Sequence, residues 1–293
     1  MATYFVFWSY ISWLKFVPIS IVNAVLIVSV LRKRTLRCET SSVYLLCLLI
    51  AHFLVGLWGL LEAILFSITK TLSQLEEDVT ARGVSISIYI GIQCYTFSAL
   101  VLVTMDRHLA VHNPLKYQFI SARFIVISII LSLFPSILFT ALMLIPGEQH
   151  SSAIFCVLSL IGSVFIVFVN VKVYLTARSH FRNIKKDSVA EDETQSVLLK
   201  KRLMRRQQKS LVITLLLVAT FIIAWLPSYV HLFIAATGNT VPDYVIVISF
   251  AILSLNSLVD PFIYIFLNGK LKRAVKSLFC KQIEIREETH YTK

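Results

Sequence analysis

The sequence predicts an all-α membrane protein: a seven-transmembrane helix bundle with a short amphipathic helix after the seventh span. Three observations carry this. Of the 293 residues, 57% are hydrophobic and only 15% charged, whereas a soluble domain carries about 25% charged residues. The apolar residues gather into seven long stretches, each at or beyond the ~20 residues that a helix needs to cross a bilayer core. Within them the apolar character is continuous rather than alternating at period two, which argues against a strand-built barrel.

The spans are expected near 9–31, 41–69, 83–108, 123–146, 153–178, 209–236 and 242–267. Residues 1–8 then form a short outer N-terminus and 9–267 the membrane domain. An amphipathic helix over 268–280 and a tail over 281–293 complete the chain. Seven spans put the two termini on opposite sides. The segments after spans one, three, five and seven hold 4, 2, 10 and 7 of the 28 lysines and arginines. Basic residues mark the cytoplasmic side, so the N-terminus is expected outside and the C-terminus in the cytosol. The net charge of +12 is thus mostly a cytoplasmic-face charge. It suits anionic lipid and an acidic protein partner and does not point to nucleic acid.

Between spans five and six, "KKDSVAEDETQSVLLKKRLMRRQQK" is acidic in the middle and basic and helix-compatible at its ends. It is expected to extend both spans into the cytosol. Outer loops at 147–152 and 237–241 are short. The first span is too long for a cleavable signal peptide, and no Asn-x-Ser/Thr sequon occurs. No soluble ectodomain is expected to capture a large ligand. After span seven, Leu271, Val275, Leu278 and Phe279 share one helical face, with Lys272, Arg273 and Lys276 elsewhere. That pattern suits a helix lying on the inner membrane surface. Cys280 at its end is a candidate for S-palmitoylation, with an unmodified thiol the equal alternative. The five cysteines, Cys38, Cys47, Cys94, Cys156 and Cys280, show no metal-site spacing and no obvious outer disulfide. Neither a metal nor a cofactor is expected.

Three motifs line up on the inner half. Asp106-Arg107-His108 closes span three. "FIIAWLP" over 221–227 lies in span six, where Pro227 removes a backbone bond. "NSLVDPFIY" over 256–264 closes span seven around Pro261. In this order, in a seven-span chain, the sequence resembles the rhodopsin-like (class A) G-protein-coupled receptors from Asn23 to Cys280. That resemblance implies a receptor that activates a heterotrimeric G protein, with arrestin and a receptor kinase as further partners. It assigns Asp106 to hold Arg107 at rest, with His108 in the tyrosine slot of the Asp-Arg-Tyr motif. Phe221, Trp225 and Pro227 match the helix-six switch. Asn256, Asp260, Pro261 and Tyr264 match the helix-seven motif. Tyr174 matches the helix-five tyrosine that meets Tyr264 in active states.

Departures from the family pattern narrow the branch. Arg82 stands near the usual helix-three cysteine, the loop at 147–152 has no cysteine, and Ile166 replaces the helix-five proline. With Asp260-Pro261 and Glu62, these features look most like the melanocortin-type receptors of the melanocortin/adenosine branch. The acids that would bind calcium in such a receptor fall at Arg82 and Ile86, so no calcium site is expected. Ser254 stands where an opsin needs its Schiff-base lysine. Tyr89 stands where an amine receptor needs an aspartate. Arg206 and Gln207 replace the helix-six glutamate that restrains the helix-three arginine in many members, so elevated basal signalling is expected.

The family's sodium-binding aspartate is His52 here, and the neighbouring positions are Thr96, Trp225, Asn256 and Asp260. An imidazole is a poor sodium ligand. A lone in-membrane carboxylate is costly, so His52 and Asp260 are expected to pair, with signalling then dependent on pH. A neutral His52 bonded to Asn23 or Asn256 is the equal alternative. Expected pocket residues are Glu62, Tyr89, Gln93, Trp225, Tyr229, His231 and Phe250, a mostly aromatic set that suits a small molecule, lipid or short peptide. Glu62 could meet a cationic ligand group, Tyr89 or Lys70. The rival readings are an odorant-type chemosensory receptor of the same fold, and a transporter or channel. The latter wants more intramembrane charges or paired broken helices than the chain offers. No nucleophile–base set supports an enzyme.

Overall fold

The computed structural model describes residues 2–72, 79–113, 116–117, 119–144, 148–190, 195–239 and 241–279; at 2–13, 65–72, 79–83, 86, 143, 148–153, 155, 180–190, 195–210, 235–236, 243 and 247 it describes the backbone alone. All regular structure among these residues is helical. The helices are α1 (Ala2–Arg32), α2 (Arg34–Arg37), α3 (Thr40–Leu72), α4 (Val79–His112), α5 (Ala122–Met143), α6 (Glu148–Ala190), α7 (Gln195–Ala236), α8 (Asp243–Leu267) and α9 (Gly269–Phe279). Seven of them are long and apolar enough to cross a membrane, in agreement with the expected fold class. The chain forms two compact units, residues 1–77 with 257–293, and residues 78–256. Their division falls inside α8.

Helix ends differ from the expected spans where the sequence offers no breaker. α1 begins at Ala2 rather than after residue 8, because "TYFVFWSY" contains neither Gly nor Pro. α6 starts at Glu148, so most of the expected outer loop at 147–152 is the first turn of a helix. α6 and α7 run 43 and 42 residues, each about 65 Å at 1.5 Å per residue, roughly twice a bilayer core of about 30 Å. Both helices therefore project beyond the membrane, as the charged segment between them suggests. α6 carries no proline; Ile166 is buried in its place. At the other end of α7 the chain turns at Gly238, whose φ of 78° is open to glycine and costly for other residues.

In the first unit α1 and α3 pack closely. Gly56 faces Ile19 and Ser20, and Gly59 faces Phe16, each without room for a side chain. α9 is capped by Asn268, whose Oδ1 accepts from the Lys270 and Leu271 amides at 3.1 and 3.2 Å. Such a cap satisfies helix-end donors and is worth ~1 kcal/mol. Leu271 and Ala274 are buried as α9 packs against α1, and Lys270 pairs with Glu39. Phe279 stays exposed, free to enter lipid. Cys280 and the tail at 281–293 lie outside the described residues.

In the second unit α4 packs against α5, α6 and α7. The surrounding helices turn apolar side chains outward: only 11% of Ala122–Leu142 is buried. In water this surface would be an aggregation hazard, and in lipid it costs nothing.

Candidate functional site

Near the C-terminal end of α4, Asp106 is buried at 2% exposure. Its Oδ2 lies 2.7 Å from an Arg107 guanidinium nitrogen, and its Oδ1 accepts from the Tyr117 hydroxyl, also at 2.7 Å. Oδ1 is thus hydrogen-bonded, whereas Oδ2 has no hydrogen-bond partner among the described residues and is held by the charge of Arg107 alone, a pairing that lowers the cost of a buried anion. Arg107 keeps 19% of its side chain exposed and still reaches solvent. His108 stacks on His112 at 4.2 Å, and His112 Nε2 lies 3.3 Å from Thr176 Oγ1 on α6. Tyr174, matched by the resemblance to the helix-five tyrosine that meets Tyr264 in active states, is 43% exposed. Its neighbours Val173 and Ala177 face the interior instead, so the helical phase of α6 carries Tyr174 outward. The side chains of Arg206 and Gln207 lie outside the described residues.

The first unit contains a polar core. Asn23 donates to the Ile19 and Ser257 carbonyls at 2.8 and 3.0 Å, which ties α1 to α8. His52 Nε2 lies 3.5 Å from Asp260 Oδ2, with both side chains essentially inaccessible. That is ion-pair range, longer than the 2.7–3.2 Å of a well-formed hydrogen bond. Neither ring nitrogen of His52 has a hydrogen-bond partner among the described residues, so the alternative bond to Asn23 or Asn256 is not made. Tyr264 and Pro261 are buried in the same unit. Thr96 and Asn256, in the second unit, are buried as well, and Thr96 donates to the Ile92 carbonyl at 3.1 Å.

The second unit gathers six of the seven expected pocket residues. Tyr89 meets Phe250 edge-on at 5.5 Å and accepts from Gln93 Nε2 at 2.8 Å. His231 meets the same Phe250 ring at 5.5 Å. Trp225 lies between Phe221 and Tyr229 at 5.3 and 5.6 Å, and Phe97 touches Phe221 at 5.2 Å. Tyr229 shares a 2.7 Å hydrogen bond with Ser163. Gln93, Trp225, His231 and Phe250 line a cavity together with Ser228. Ser228 Oγ is buried without a partner among the described residues, so this wall offers an unused hydrogen-bonding group. No carboxylate lines the cavity among the described residues.

Glu62 belongs to the first unit and is half-buried. Its electrostatic partner is Lys15, a buried lysine in the α1 span. The sequence reading considered Tyr89, Lys70 and a ligand for that part and missed Lys15. The signal was available: Lys15 interrupts "YISWLKFVPISIV" as the single charge of an otherwise apolar run. Tyr117, His112 and Ser228 were also missed, each a common residue whose place depends on a fold-level neighbour.

A family model described as 7 transmembrane receptor (rhodopsin family) matches residues 22–264. The chain is 28% identical over 232 residues to Trace amine-associated receptor 7d of Mus musculus, covering 70% of this chain and 64% of that receptor. It is 23% identical over 274 residues to Melanocortin receptor 3 of Rattus norvegicus, covering 88% and 80%. The human Melanocortin receptor 3 is 22% identical over the same shares. With seven apolar helices, a carboxylate–guanidinium pair closing the third of them and a family match over most of its length, the chain belongs to the rhodopsin family of seven-transmembrane receptors.

Proposed function

We propose that the chain is a ligand-gated receptor of the plasma membrane, with its N-terminus outside, that activates a heterotrimeric G protein and catalyses no reaction itself. The supporting observation is the Asp106–Arg107 pair. A guanidinium held at 2.7 Å by a buried carboxylate, yet 19% exposed, is poised at the inner membrane boundary. A shift of helix positions that loosens Tyr117 or Asp106 releases it toward a cytosolic partner. Ligand binding biases that two-state equilibrium by its differential affinity for the two forms. Arrestin and a receptor kinase are further partners on the same face.

The outer cavity of the second unit takes the ligand, through Tyr89, Gln93, Trp225, Tyr229, His231 and Phe250. One group of relatives is named for trace amines. A primary ammonium wants a carboxylate, and the described cavity wall has none, while Glu62 already has Lys15 beside it. An uncharged, partly aromatic small molecule or lipid fits that wall better. Nothing in the comparisons favours a transporter or channel.

The test uses membranes containing the full chain and purified heterotrimeric G proteins. Arg107→Ala is expected to remove receptor-dependent nucleotide exchange while surface expression persists. Exchange that survives in Arg107→Ala at the wild-type rate would refute the coupling role.

A further inference from the structure

A second, larger cavity of about 330 Å³ lies where α4 ends and α5 begins. It belongs wholly to the second unit and stands at the membrane–water boundary, since spans Ser87–His112 and Ala122–Leu142 meet there. Its walls combine Leu109, Phe119, Ile120 and Phe124 with one cation, Lys116, and with Tyr117. No acid lines it among the described residues. Phe119 is 84% exposed and Phe124 50%. From Phe124 an exposed apolar ridge continues along α5 through Ile127, Leu131 and Phe134. Ten residues of helix span about 15 Å, half the thickness of a bilayer core.

These features select the occupant. A soluble anion would meet Lys116 and leave the aromatic wall facing water. A neutral acyl chain would cover that wall and leave the ammonium unmatched. A molecule with a phosphate at one end and an acyl chain at the other satisfies both: the phosphate at Lys116, the chain along the α5 ridge. The cavity also touches the switch. Tyr117 forms part of its wall and donates its hydroxyl to Asp106, which in turn holds Arg107.

We infer that this α4–α5 cavity binds an anionic phospholipid of the adjacent leaflet, and that its occupancy tunes Arg107 through Tyr117 and Asp106. The site stands on its own geometry; the tuning rests on the G-protein reading above.

The experiment places the purified full chain in nanodiscs of dioleoylphosphatidylcholine alone or mixed with dioleoylphosphatidylglycerol. Native mass spectrometry reads retained lipid and nucleotide exchange reads coupling. Wild type is expected to retain phosphatidylglycerol preferentially and to change its ligand-free exchange about fivefold in the mixed discs, the lower end of usual allosteric coupling. Lys116→Gln and Phe119→Ser are expected to lose both effects, while Lys272→Gln on α9, an exposed cation elsewhere, keeps them. Equal loss in Lys272→Gln would mean bulk surface charge and overturn the site. So would undiminished retention in Lys116→Gln, or an equal effect from soluble glycerol 3-phosphate. Retention that depends on Lys116 with exchange unmoved by lipid overturns the tuning alone. If the G-protein reading itself fails, exchange is absent from every sample while Lys116-dependent retention remains.

Discussion

Asp106 has two oxygens and two partners, and the partners are not equivalent: Oδ1 accepts a hydrogen bond and Oδ2 only faces a charge. Arg107 is the neighbouring residue and contributes charge, whereas Tyr117 reaches back from beyond the end of α4. Removing the tyrosine hydroxyl leaves the ion pair, and neutralising the carboxylate abolishes the ion pair and reduces the tyrosine contact to a neutral hydrogen bond. Asp106→Asn is therefore expected to raise ligand-free nucleotide exchange by about tenfold, with Tyr117→Phe giving a smaller rise, since a hydrogen bond to a charged group is worth ~1.5–3 kcal/mol. If exchange in Asp106→Asn stays at the wild-type level, Asp106 does not restrain Arg107. The His52–Asp260 contact calls for a different measurement, because the 3.5 Å separation sits between pairing and mere proximity. A cycle of His52→Leu, Asp260→Leu and the double variant, read by thermal unfolding in detergent, is expected to give a coupling of roughly 1–3 kcal/mol. Additive single effects would break the pair. At this scale the sequence exposed residues whose chemistry is out of place: Asp106, Arg107, His52 and Asp260 are polar where lipid should be. Tyr117 and Ser228 carried no such contrast, since an aromatic or a serine near a membrane helix is unremarkable until its neighbour is known.

Helices are legible in this chain where lipid imposes continuity. All backbone groups in a bilayer core must find partners within the segment, so each apolar run became one helix, and Pro18, Pro135, Pro227 and Pro261 lie inside helices without ending them. The ends were less legible, because outside the core the rule lapses and local propensity decides; hence α1 reaching back to Ala2 and α6 starting at Glu148. α9 shows the opposite regime. It is an 11-residue helix, short enough to be marginal alone, and it depends on its cap and on α1. Asn268→Ala removes both bonds from Oδ1 to the first amides and is expected to cost ~1 kcal/mol. Amide hydrogen exchange over 270–274 should then quicken about fivefold, as every 1.4 kcal/mol is tenfold, while the centre of α4 is unaffected. Unchanged protection would show that packing of Leu271 and Ala274 on α1 holds α9 without its cap.

The whole chain has to satisfy one global condition, a direction across the membrane, and the basic residues set it. Most lysines and arginines fall in the segments after the first, third, fifth and seventh apolar runs, and moving such clusters across a bilayer is costly. The apolar pattern is blind to direction, since each span would be equally at home inverted, so only the charge pattern predicts an orientation. Ligand chemistry was less legible in the sequence, because the cavity wall of the second unit is assembled from α4, α7 and α8 and its Ser228 hydroxyl, without a partner among the described residues, is visible only once those helices are in place. Orientation can be read from one thiol. Cys38 is exposed beside α2, whereas Cys47, Cys94 and Cys156 are buried and so shielded from reagents. In a Cys280→Ser background, a membrane-impermeant maleimide is expected to leave intact cells unlabelled and to label Cys38 after permeabilisation. Labelling of Cys38 in intact cells would place Arg107 on the outer face, where no cytosolic G protein could reach it, and the receptor reading would fall with the topology.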